Sequence, residues 1–522
     1  MGIYVNIGNE AFLSSRKGEY VDKSGLIAVV NETLGTRFRF SCVSRCRRFG
    51  KSMAAEMLAA YYDKSCDSRS LFADLAIADD PSFEDHLNKY PVIYLDITGF
   101  ITRFRNEDIV RRMDAELKSD VQEAYPNVEV KAEDDLMAAL IRIAAATGDR
   151  FFFIIDEWDA ICREFPAGSA EMSRYVDWLR RMFKDLSAIS VFAGVYMTGI
   201  LPIKKYKTQS ALNNFQEYSM VDPGEMAPFF GFTKPEVEVL VARYCMEFNE
   251  MEKWYDGYRI GEELSMFNPN SVMQALRRRR CTSYWGKTAT YDTIVPYIQM
   301  NYEGLKDDII EMLAGGHCAV DPTGFQNDLF VVNSKDDVLT ILIHLGYLSY
   351  DRDEGTCFIP NKEVAEEMLL AVRDSQWQYV TAAIEQSRQL LEATLSGDEE
   401  SVARGVEAAH DENTSILSYN NENSLACVLS LAYYYARNNY VVHRELASGK
   451  GFADLVLFPR KNVDSPAIVI ELKYNQSADT ALDQIKRKEY PAKVAEYAGK
   501  LLLVGISYDR ETKTHSCRID RQ

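Results

Sequence analysis

The sequence contains no long uninterrupted run of apolar residues. No stretch of about 18 or more occurs, whereas a membrane-spanning helix needs about 20. The first residues also lack the basic and apolar segments of a secretion signal. We therefore expect a cytoplasmic protein without a transmembrane helix.

Cysteine is sparse and irregularly spaced. The ten cysteines contain no Cys-x-x-Cys pair, and Cys42 and Cys46 lie four apart without a second pair of ligands. Disulfide frameworks and structural zinc sites depend on regularly spaced pairs. We therefore expect reduced cysteines that hold neither a disulfide nor a zinc ion.

Positive charge is scarce over most of the chain. The formal net charge is −19, which argues against a protein that coats nucleic acid without specificity. Residues 441–522, however, carry 14 Lys and Arg against 11 Asp and Glu. These residues have a net charge of +3, and the rest of the chain therefore has a net charge of −22. We expect the C-terminal segment to have a different function from the rest of the chain. We interpret the basic run Arg277–Arg280 as a solvated helix end, with phosphate binding as the alternative.

Strand-like and helix-like segments alternate over the first 220 residues. Alternating residues at 37–43 and apolar runs at 91–97, 151–155 and 190–197 predict strands, and helical patterns separate them. Apolar strands separated by helices are typical of a parallel sheet that is covered on both faces. We therefore predict an α/β fold for this part of the chain.

A basic, glycine-containing loop lies between the first strand and a helix. Its residues are Arg45, Cys46, Arg47, Arg48, Phe49, Gly50, Lys51 and Ser52. Backbone N–H groups, a helix N-terminus and a cation are what a phosphate chain requires. Lys51 is placed to reach the β- and γ-phosphates of a nucleotide, and Ser52 to bind Mg²⁺. Arg45 stands where the usual pattern has glycine.

Two carboxylates follow the most apolar strand. Asp156 and Glu157 end the run 151–155, and parallel sheets bind ligands at the carboxyl ends of their strands. We predict that Asp156 holds Mg²⁺ through water and that Glu157 polarises the attacking water. Thr198 ends another strand and is predicted to sense the γ-phosphate. Taken separately, Gly50 could cap a turn, and Asp156 and Glu157 could cap a helix. Both motifs occur together in the expected order along the chain, however, and this favours a nucleotide site.

The loop motif and the residues at the ends of these strands resemble sequence motifs of the bacterial AAA-ATPase-like proteins. That family usually shows Arg-Pro-Arg-Arg-Phe-Gly-Lys-Ser/Thr, so Cys46 replaces a proline, and Trp158 stands where tyrosine is common. The further strings that carry the resemblance are Phe12, Tyr20–Ser24, Ile155–Asp159, Thr198–Ile200, Leu212–Asn214, Trp254–Tyr258 and Ile359–Val364. The resemblance implies a P-loop fold that binds ATP, and it is compatible with a homo-oligomer.

A second group of charged residues lies near the C-terminus. Asp454 is predicted at a strand start, and Glu471 and Lys473 share one face of a second strand, with Leu472 opposite. Two carboxylates that share Mg²⁺ or Mn²⁺, beside a lysine, suit metal-assisted phosphodiester hydrolysis. The alternative is a surface strand on which Glu471 and Lys473 form a solvated pair.

The spacing of these residues resembles the PD-(D/E)XK nuclease superfamily, in the form fused to AAA-ATPase-like domains. His443–Glu445 and Gln484 on the following helix fit that form, and Glu422 is a candidate auxiliary metal ligand. Phe452 and Ala453 fill a stretch where the family often has arginine. The resemblance adds Gln484 to the expected catalytic residues.

The expected fold class is therefore α/β and multidomain. It comprises a P-loop sheet at 1–222 and a helical lid-like region at 223–286. A helical and winged-helix-like middle with a helical linker follows at 287–404, and a PD-(D/E)XK domain at 405–522.

The expected function is an ATPase coupled to a Mg²⁺-dependent nuclease, with DNA favoured over RNA as substrate. The alternative is a nucleotide-dependent switch or interaction protein with a vestigial nuclease fold.

Overall fold

The computed structural model divides the chain into two compact units. One comprises Met1–Thr290 and Ala319–Ala365, and the other Tyr291–Cys318 and Glu366–Gln522. The structure describes residues 2–105, 107–166, 168–203, 205–206, 209–210, 212–261, 265–285, 297, 302, 304–313, 316–325, 332–374, 378–413, 432–433, 435–436, 440–448, 451–459, 465–487, 497, 499–512 and 514–522.

A five-stranded parallel sheet forms the centre of the first unit. Its strands are β1 (Phe40–Ser44), β2 (Val92–Asp96), β3 (Phe151–Asp156), β4 (Phe192–Gly199) and β5 (Gln216–Tyr218). Their order is β2-β3-β4-β1-β5, and every neighbouring pair is parallel. The four predicted strands are confirmed, although β4 begins two residues late because a short helix precedes it. The sequence did not predict β5, which is short and polar.

Helices cover both faces of this sheet, as predicted. Along β3, Phe153 and Ile155 pack into one hydrophobic cluster, and Phe152 and Ile154 pack into the other. The helix that follows β1 is α1 (Lys51–Tyr62). The other helices of this region are Glu10–Arg16, Gly25–Thr33, Arg69–Phe72, Phe83–His86, Ile97–Phe104, Ile109–Ala124, Leu136–Thr147, Ala160–Glu164, Ala170–Phe183 and Ala188–Val191, with a 3₁₀ turn at Ala76–Asp79.

Smaller elements complete the first unit. Ser349–Asp351 and Thr356–Phe358 form an antiparallel hairpin. A three-stranded antiparallel sheet is formed by Phe232–Thr233, Tyr258–Arg259 and Ser265–Phe267. The helices are Lys234–Tyr244, Phe248–Tyr255, Pro269–Arg278 and Lys335–Leu345. The remaining short elements are Lys205–Tyr206, Gln209–Ser210, Gly224–Phe229, Cys318–Ala319 and Pro322–Gly324.

A mixed five-stranded sheet forms the centre of the second unit. Its strands, in spatial order, are β6 (Tyr440–Ser448), β7 (Gly451–Pro459), β8 (Ala467–Tyr474), β9 (Leu501–Asp509) and β10 (Thr514–Arg521). Only the pair β8–β9 is parallel, and the helix α2 (Ala478–Arg487) connects these two strands. After α2, the strands β9 and β10 form an antiparallel hairpin.

Three long helices accompany this sheet or lead to it. They make up most of the described part of residues 362–413, and a shorter helix, Leu305–Leu313, also belongs to this unit. The three are Lys362–Asp374, which begins in the first unit, Gln378–Ser396 and Glu399–Asn413. The predicted fold class, two α/β parts with a helical middle, is therefore confirmed.

We compared the length and hydropathy of the described helices with those of membrane-spanning helices. Within the part of the chain that the structure describes, no helix combines the length and the apolar character needed to cross a bilayer.

The side chain of Arg45 is an internal support of the first unit. It has no solvent exposure, and its Nη1 donates to the carbonyl oxygens of Ser44, Tyr218 and Ser219, each at 3.0 Å. The guanidinium also lies 5.3 Å from the ring centre of Phe230. Burial lowers its pKa to about 10. Arg45 therefore ties the end of β1 to the segment after β5, a role that glycine cannot fill.

We expect Arg45→Gly, which restores the usual glycine of the loop pattern, to destabilise the protein. It would leave buried carbonyl groups without donors, which costs about 1–3 kcal/mol for each unsatisfied group. The free energy of unfolding of the first unit, measured by denaturant titration, should fall by about 2 kcal/mol or more. Arg37→Gly, at an exposed arginine nearby, is the control. Equal stability of the two variants would contradict this role.

Candidate functional site

A cavity of about 1010 Å³ opens at the carboxyl edge of the parallel sheet. The loop Arg47–Ser52 forms one wall, and Asp156 and Glu157, which follow β3, form another. The predicted loop and acidic residues therefore surround one space. Other residues that line it are Tyr20, Lys23, Tyr94, Asp96, Arg163, Phe232, Met273 and Arg277.

Lys51 and Ser52 begin α1 at the wall of this cavity. Gly50 precedes them at φ +90°, a left-handed conformation that glycine adopts without steric cost. The Nζ of Lys51 donates to the carbonyl oxygen of Cys46 at 3.1 Å and lies 3.9 Å from Oε1 of Glu157. The loop thus presents a helix N-terminus and a cation on the same side, which suits a phosphate chain.

Asp156 is a buried carboxylate beside Ser52. Burial is the main cause that raises its pKa to about 6, while a hydrogen bond with the Ser52 side chain and the charge of Lys51 act in the opposite direction. The hydroxyl of Tyr94 also donates to its Oδ2 at 3.3 Å. A hydroxyl and a carboxylate placed together are oxygen ligands of the kind that Mg²⁺ prefers. Ser52 and Asp156 therefore fit a magnesium ion.

Glu157 adopts an unusual backbone conformation. Its φ of +52° lies in the left-handed region, which is unfavourable for a residue with a side chain. Its carboxylate forms an ion pair with Arg163 and lies near Lys51. Glu157 therefore faces the cavity between two cations.

Arg48 and Phe49 also contact the segments behind the loop. Nη1 of Arg48 donates to the carbonyl oxygen of Tyr284 at 2.8 Å, and the ring of Phe49 packs edge-on against Tyr258 at 5.0 Å. Cys46 is fully buried, and burial is the main cause that raises the pKa of its thiol to about 12. These three residues therefore hold the loop in place, and Arg48 and Phe49 also line the cavity.

The segments behind the loop are locked together. A Cβ atom on Gly257 would come within 1.9 Å of the carbonyl oxygen of Pro360, so only glycine fits there. The amide of Asn361 donates to the carbonyl oxygen of Asp256 at 2.9 Å. Two of the strings quoted for the family resemblance therefore contact each other directly.

Glu363 belongs to the same packing. Its Oε1 accepts the backbone N–H groups of Tyr284 and Trp285, at 2.6 and 3.1 Å. Because Tyr284 also accepts from Arg48, polar contacts join the loop to the first turn of the helix Lys362–Asp374.

Thr198 stands apart from the other predicted nucleotide contacts. It is buried in β4, and within the described residues its hydroxyl has no hydrogen-bond partner. It is not among the described residues that line the cavity. A role for Thr198 as a phosphate sensor stays a prediction.

The basic run at the end of the helix Pro269–Arg278 is solvent-exposed from Arg277 to Arg280, as predicted. Arg277 nevertheless lines the cavity. At the same rim, Nζ of Lys23 forms an ion pair with Glu236 at 2.7 Å. The string Tyr20–Ser24 is thereby attached to the helix Lys234–Tyr244.

The second predicted group lies on β7, β8 and α2. Nε2 of Gln484 donates to Oε1 of Glu471, and Nζ of Lys473 lies 3.7 Å from the same oxygen. Oδ2 of Asp454 accepts the backbone N–H of Leu472 at 2.7 Å. The structure therefore brings all four predicted residues to one place.

The register of the sheet explains this arrangement. Leu455 pairs with Ile470 in antiparallel register, and one further step places Asp454 opposite Glu471. Directly opposite residues point to the same face. Leu472 packs on the other face, as the alternation predicted. Asp454 lies inside β7, which begins at Gly451, and not at the strand start that we predicted.

Two carboxylates on one face suit a divalent cation. Glu471 and Lys473 are largely buried, so they do not form a solvated surface pair. No cluster of three or more His, Cys, Asp or Glu side chains suited to a metal occurs in the described part of the chain. Glu422, the candidate auxiliary ligand, lies outside the described residues.

Sequence reasoning missed three residues of the first site. Tyr94 contacts Asp156, and Asp159 and Arg163 form an ion pair at 3.1 Å. Asp159 and Arg163 are four residues apart, a spacing that brings side chains together on a helix. This four-residue spacing is the feature of the sequence that could have indicated the ion pair between Asp159 and Arg163.

Comparison with known families gives two matches. Residues 6–208 match the AAA-ATPase-like family, described as predicted AAA-ATPase, and residues 420–517 match the PD-(D/E)XK nuclease superfamily. No protein with a curated description matches the chain.

Solved structures give only distant similarity. The Aeropyrum pernix ORC2 protein in ADPNP–ADP complexes is 10% identical, with a TM-score of 0.29 over 68% of this chain and 96% of that one. The Aeropyrum pernix ORC1 protein in complex with DNA is 12% identical, with a TM-score of 0.24 over 72% and 98%. Both TM-scores are too low to establish a common fold. The two family matches show that this chain joins an AAA-ATPase-like domain to a domain of the PD-(D/E)XK nuclease superfamily.

Proposed function

We propose that the protein hydrolyses ATP and that its nucleotide site controls a Mg²⁺-dependent nuclease, which cleaves phosphodiester bonds of nucleic acid. The observation that supports the proposal is that the structure brings together two groups of the predicted site residues, one in each unit of the same chain. The domain limits 1–222, 223–286, 287–404 and 405–522 belong to this proposal.

At the first site, each residue has a separate role. Lys51 and the backbone of Arg47–Gly50 hold the phosphates, and Ser52 and Asp156 hold Mg²⁺. Glu157 orients the attacking water. This assignment is supported by the cavity that these residues line together, since phosphoryl transfer depends mainly on positioning and on charge stabilisation.

At the second site, Asp454 and Glu471 hold Mg²⁺, or Mn²⁺ in its place. Lys473 orients or deprotonates the attacking water, and Gln484 fixes the carboxylate of Glu471. Partners of metal-binding carboxylates orient them and contribute to metal affinity. The net positive charge of residues 441–522 favours a polyanionic substrate, and we propose DNA before RNA.

The contacts behind the phosphate loop offer a physical route for control. They run from Arg48 through Tyr284 to Glu363, and Glu363 lies in the first turn of the helix Lys362–Asp374. That helix begins in the first unit and ends in the second. A loop that shifts on binding ATP would therefore act on the first turn of this helix.

Lys51→Ala should abolish ATP hydrolysis because it removes the cation nearest the phosphates. We expect the rate to fall by about 100-fold or more, measured as phosphate release with Mg²⁺. Glu157→Gln should slow hydrolysis while fluorescent ATP still binds. Lys64→Ala, at a lysine that pairs with Asp149 away from the cavity, is the control. Hydrolysis that persists in Lys51→Ala would rule out this site.

Glu471→Gln should remove cleavage of labelled DNA because the metal loses a ligand. The loss should exceed about 100-fold, since changes to outer partners of metal ligands already cost about 10–100-fold. Gln484→Ala should show that smaller loss. Lys486→Ala, on the exposed side of α2, is the control.

Substrates for this assay are single- and double-stranded DNA and RNA, each with Mg²⁺ or Mn²⁺. If the parent protein binds ATP but cleaves none of them, the nuclease proposal fails. The alternative, a nucleotide-dependent switch with a vestigial nuclease fold, then takes its place.

Glu363→Ala should separate the two activities. We expect ATP hydrolysis within about three-fold of the parent, because Glu363 does not line the cavity. The effect of ATP on cleavage should disappear, which is measured as the ratio of cleavage rates with and without ATP. Glu392→Ala, at an exposed position in the second unit, should keep the parent's ratio. An unchanged ratio in Glu363→Ala would contradict this route.

A further inference from the structure

Arg163 is a partly buried cation in the wall of the proposed nucleotide cavity. Its side chain is only 16% exposed. Nη2 of Arg163 donates to Oε2 of Glu157, and Nε donates to Oδ2 of Asp159 at 3.1 Å. The guanidinium therefore joins one carboxylate that faces the cavity to one that lies in the interior.

The inner partner is fixed by the backbone that follows β4. Asp159 has no solvent exposure, and its Oδ2 accepts the N–H groups of Ile200 and Leu201, at 3.3 and 3.1 Å. A carboxylate with this many donors cannot change its orientation without losing several hydrogen bonds. Asp159 therefore holds the guanidinium of Arg163 in one position.

The guanidinium of Arg163 keeps its positive charge although much of the side chain is shielded from solvent. Burial by itself would lower the pKa of the guanidinium, but the carboxylates of Asp159 and Glu157 outweigh it and raise the pKa. Arg163 thus offers a permanent, planar donor group, which suits precise orientation of a carboxylate.

The outer partner, Glu157, is held in a strained conformation. Its φ of +52° is left-handed, and the peptide group that follows it is held by two hydrogen bonds. Trp158 N–H donates to Thr198 O, and Ala160 N–H donates to Glu157 O, each at 2.9 Å. Strain of this kind persists where the surrounding structure over-determines a residue, and it is common at functional sites. The backbone aims the Glu157 side chain, and Arg163 fixes its far end.

We propose that Arg163 is a positioning residue that holds Glu157 for ATP hydrolysis and contributes little to ATP binding. The inference rests on the proposed ATPase function and deepens it, because the orienting cation comes from the same chain. In the reaction, a water oxygen bonds to the γ-phosphorus while the bond to the β,γ-bridging oxygen breaks. Glu157 receives a proton from the water and passes it to phosphate, so the products are ADP and inorganic phosphate.

The test compares kcat with nucleotide affinity in the full-length protein. Arg163→Gln should lower kcat by about 100-fold, the effect of a misplacement of about 1 Å, while the Kd for fluorescent ATP changes by less than about three-fold. Arg163→Lys, which keeps the charge, should recover part of kcat. Arg174→Gln, at an exposed arginine outside the cavity, should match the parent.

A double variant separates positioning from a general structural role. If Arg163 acts through Glu157, then Glu157→Gln with Arg163→Gln should be no slower than Glu157→Gln alone, since residues that act as a unit are not additive. A further loss in the double variant, a large rise in Kd, or an unchanged kcat in Arg163→Gln would each overturn the inference.

The failure of the inference differs from the failure of the proposed function. A parent protein whose hydrolysis is lost in Lys51→Ala but unaffected in Arg163→Gln would overturn the inference alone. A parent without hydrolysis that depends on Lys51 would overturn both.

Discussion

Parallel pairing of neighbouring strands is the constraint on which the proposed nucleotide site depends. Because β1, β3 and β4 run in one direction, their carboxyl ends meet at a single edge of the sheet. The loop after β1 and the carboxylates after β3 therefore face each other, although about a hundred residues separate them in the sequence. The second unit uses a related constraint, since antiparallel register places Asp454 opposite Glu471.

Buried charge is used differently in the two sites. In the first unit, Arg45 satisfies backbone carbonyl groups, and Asp159 satisfies backbone N–H groups. Both charged side chains are occupied by backbone groups, and they support the residues that line the cavity. In the second unit, the charged side chains of Glu471 and Lys473 are themselves buried on the hydrophobic sheet. Hydrogen-bonded polar groups in an interior help to fix a single arrangement of the residues around them.

The sequence strings quoted for the family resemblance acquire a physical meaning in the structure. Gly257 is required by the close approach of Pro360, and Asn361 fastens the backbone at Asp256. Phe49 of the loop packs on Tyr258. These strings thus support the phosphate loop from behind, which explains why they accompany it along the chain. Contacts among them were invisible in the sequence, since each string alone is compatible with a turn or a helix cap.

The sequence by itself determined the order of the elements, the fold class and most candidate residues, because apolar periodicity and loop chemistry are local properties. It predicted that Glu471 and Lys473 share a face, since strand alternation does not depend on partners. Tertiary structure decided which cations meet which carboxylates. Three features depend on how distant segments pack, because packing sets the position and burial of each side chain. They are the interior role of Arg45, the ion pairs that link Asp159 through Arg163 to Glu157, and the place of Thr198 outside the cavity wall.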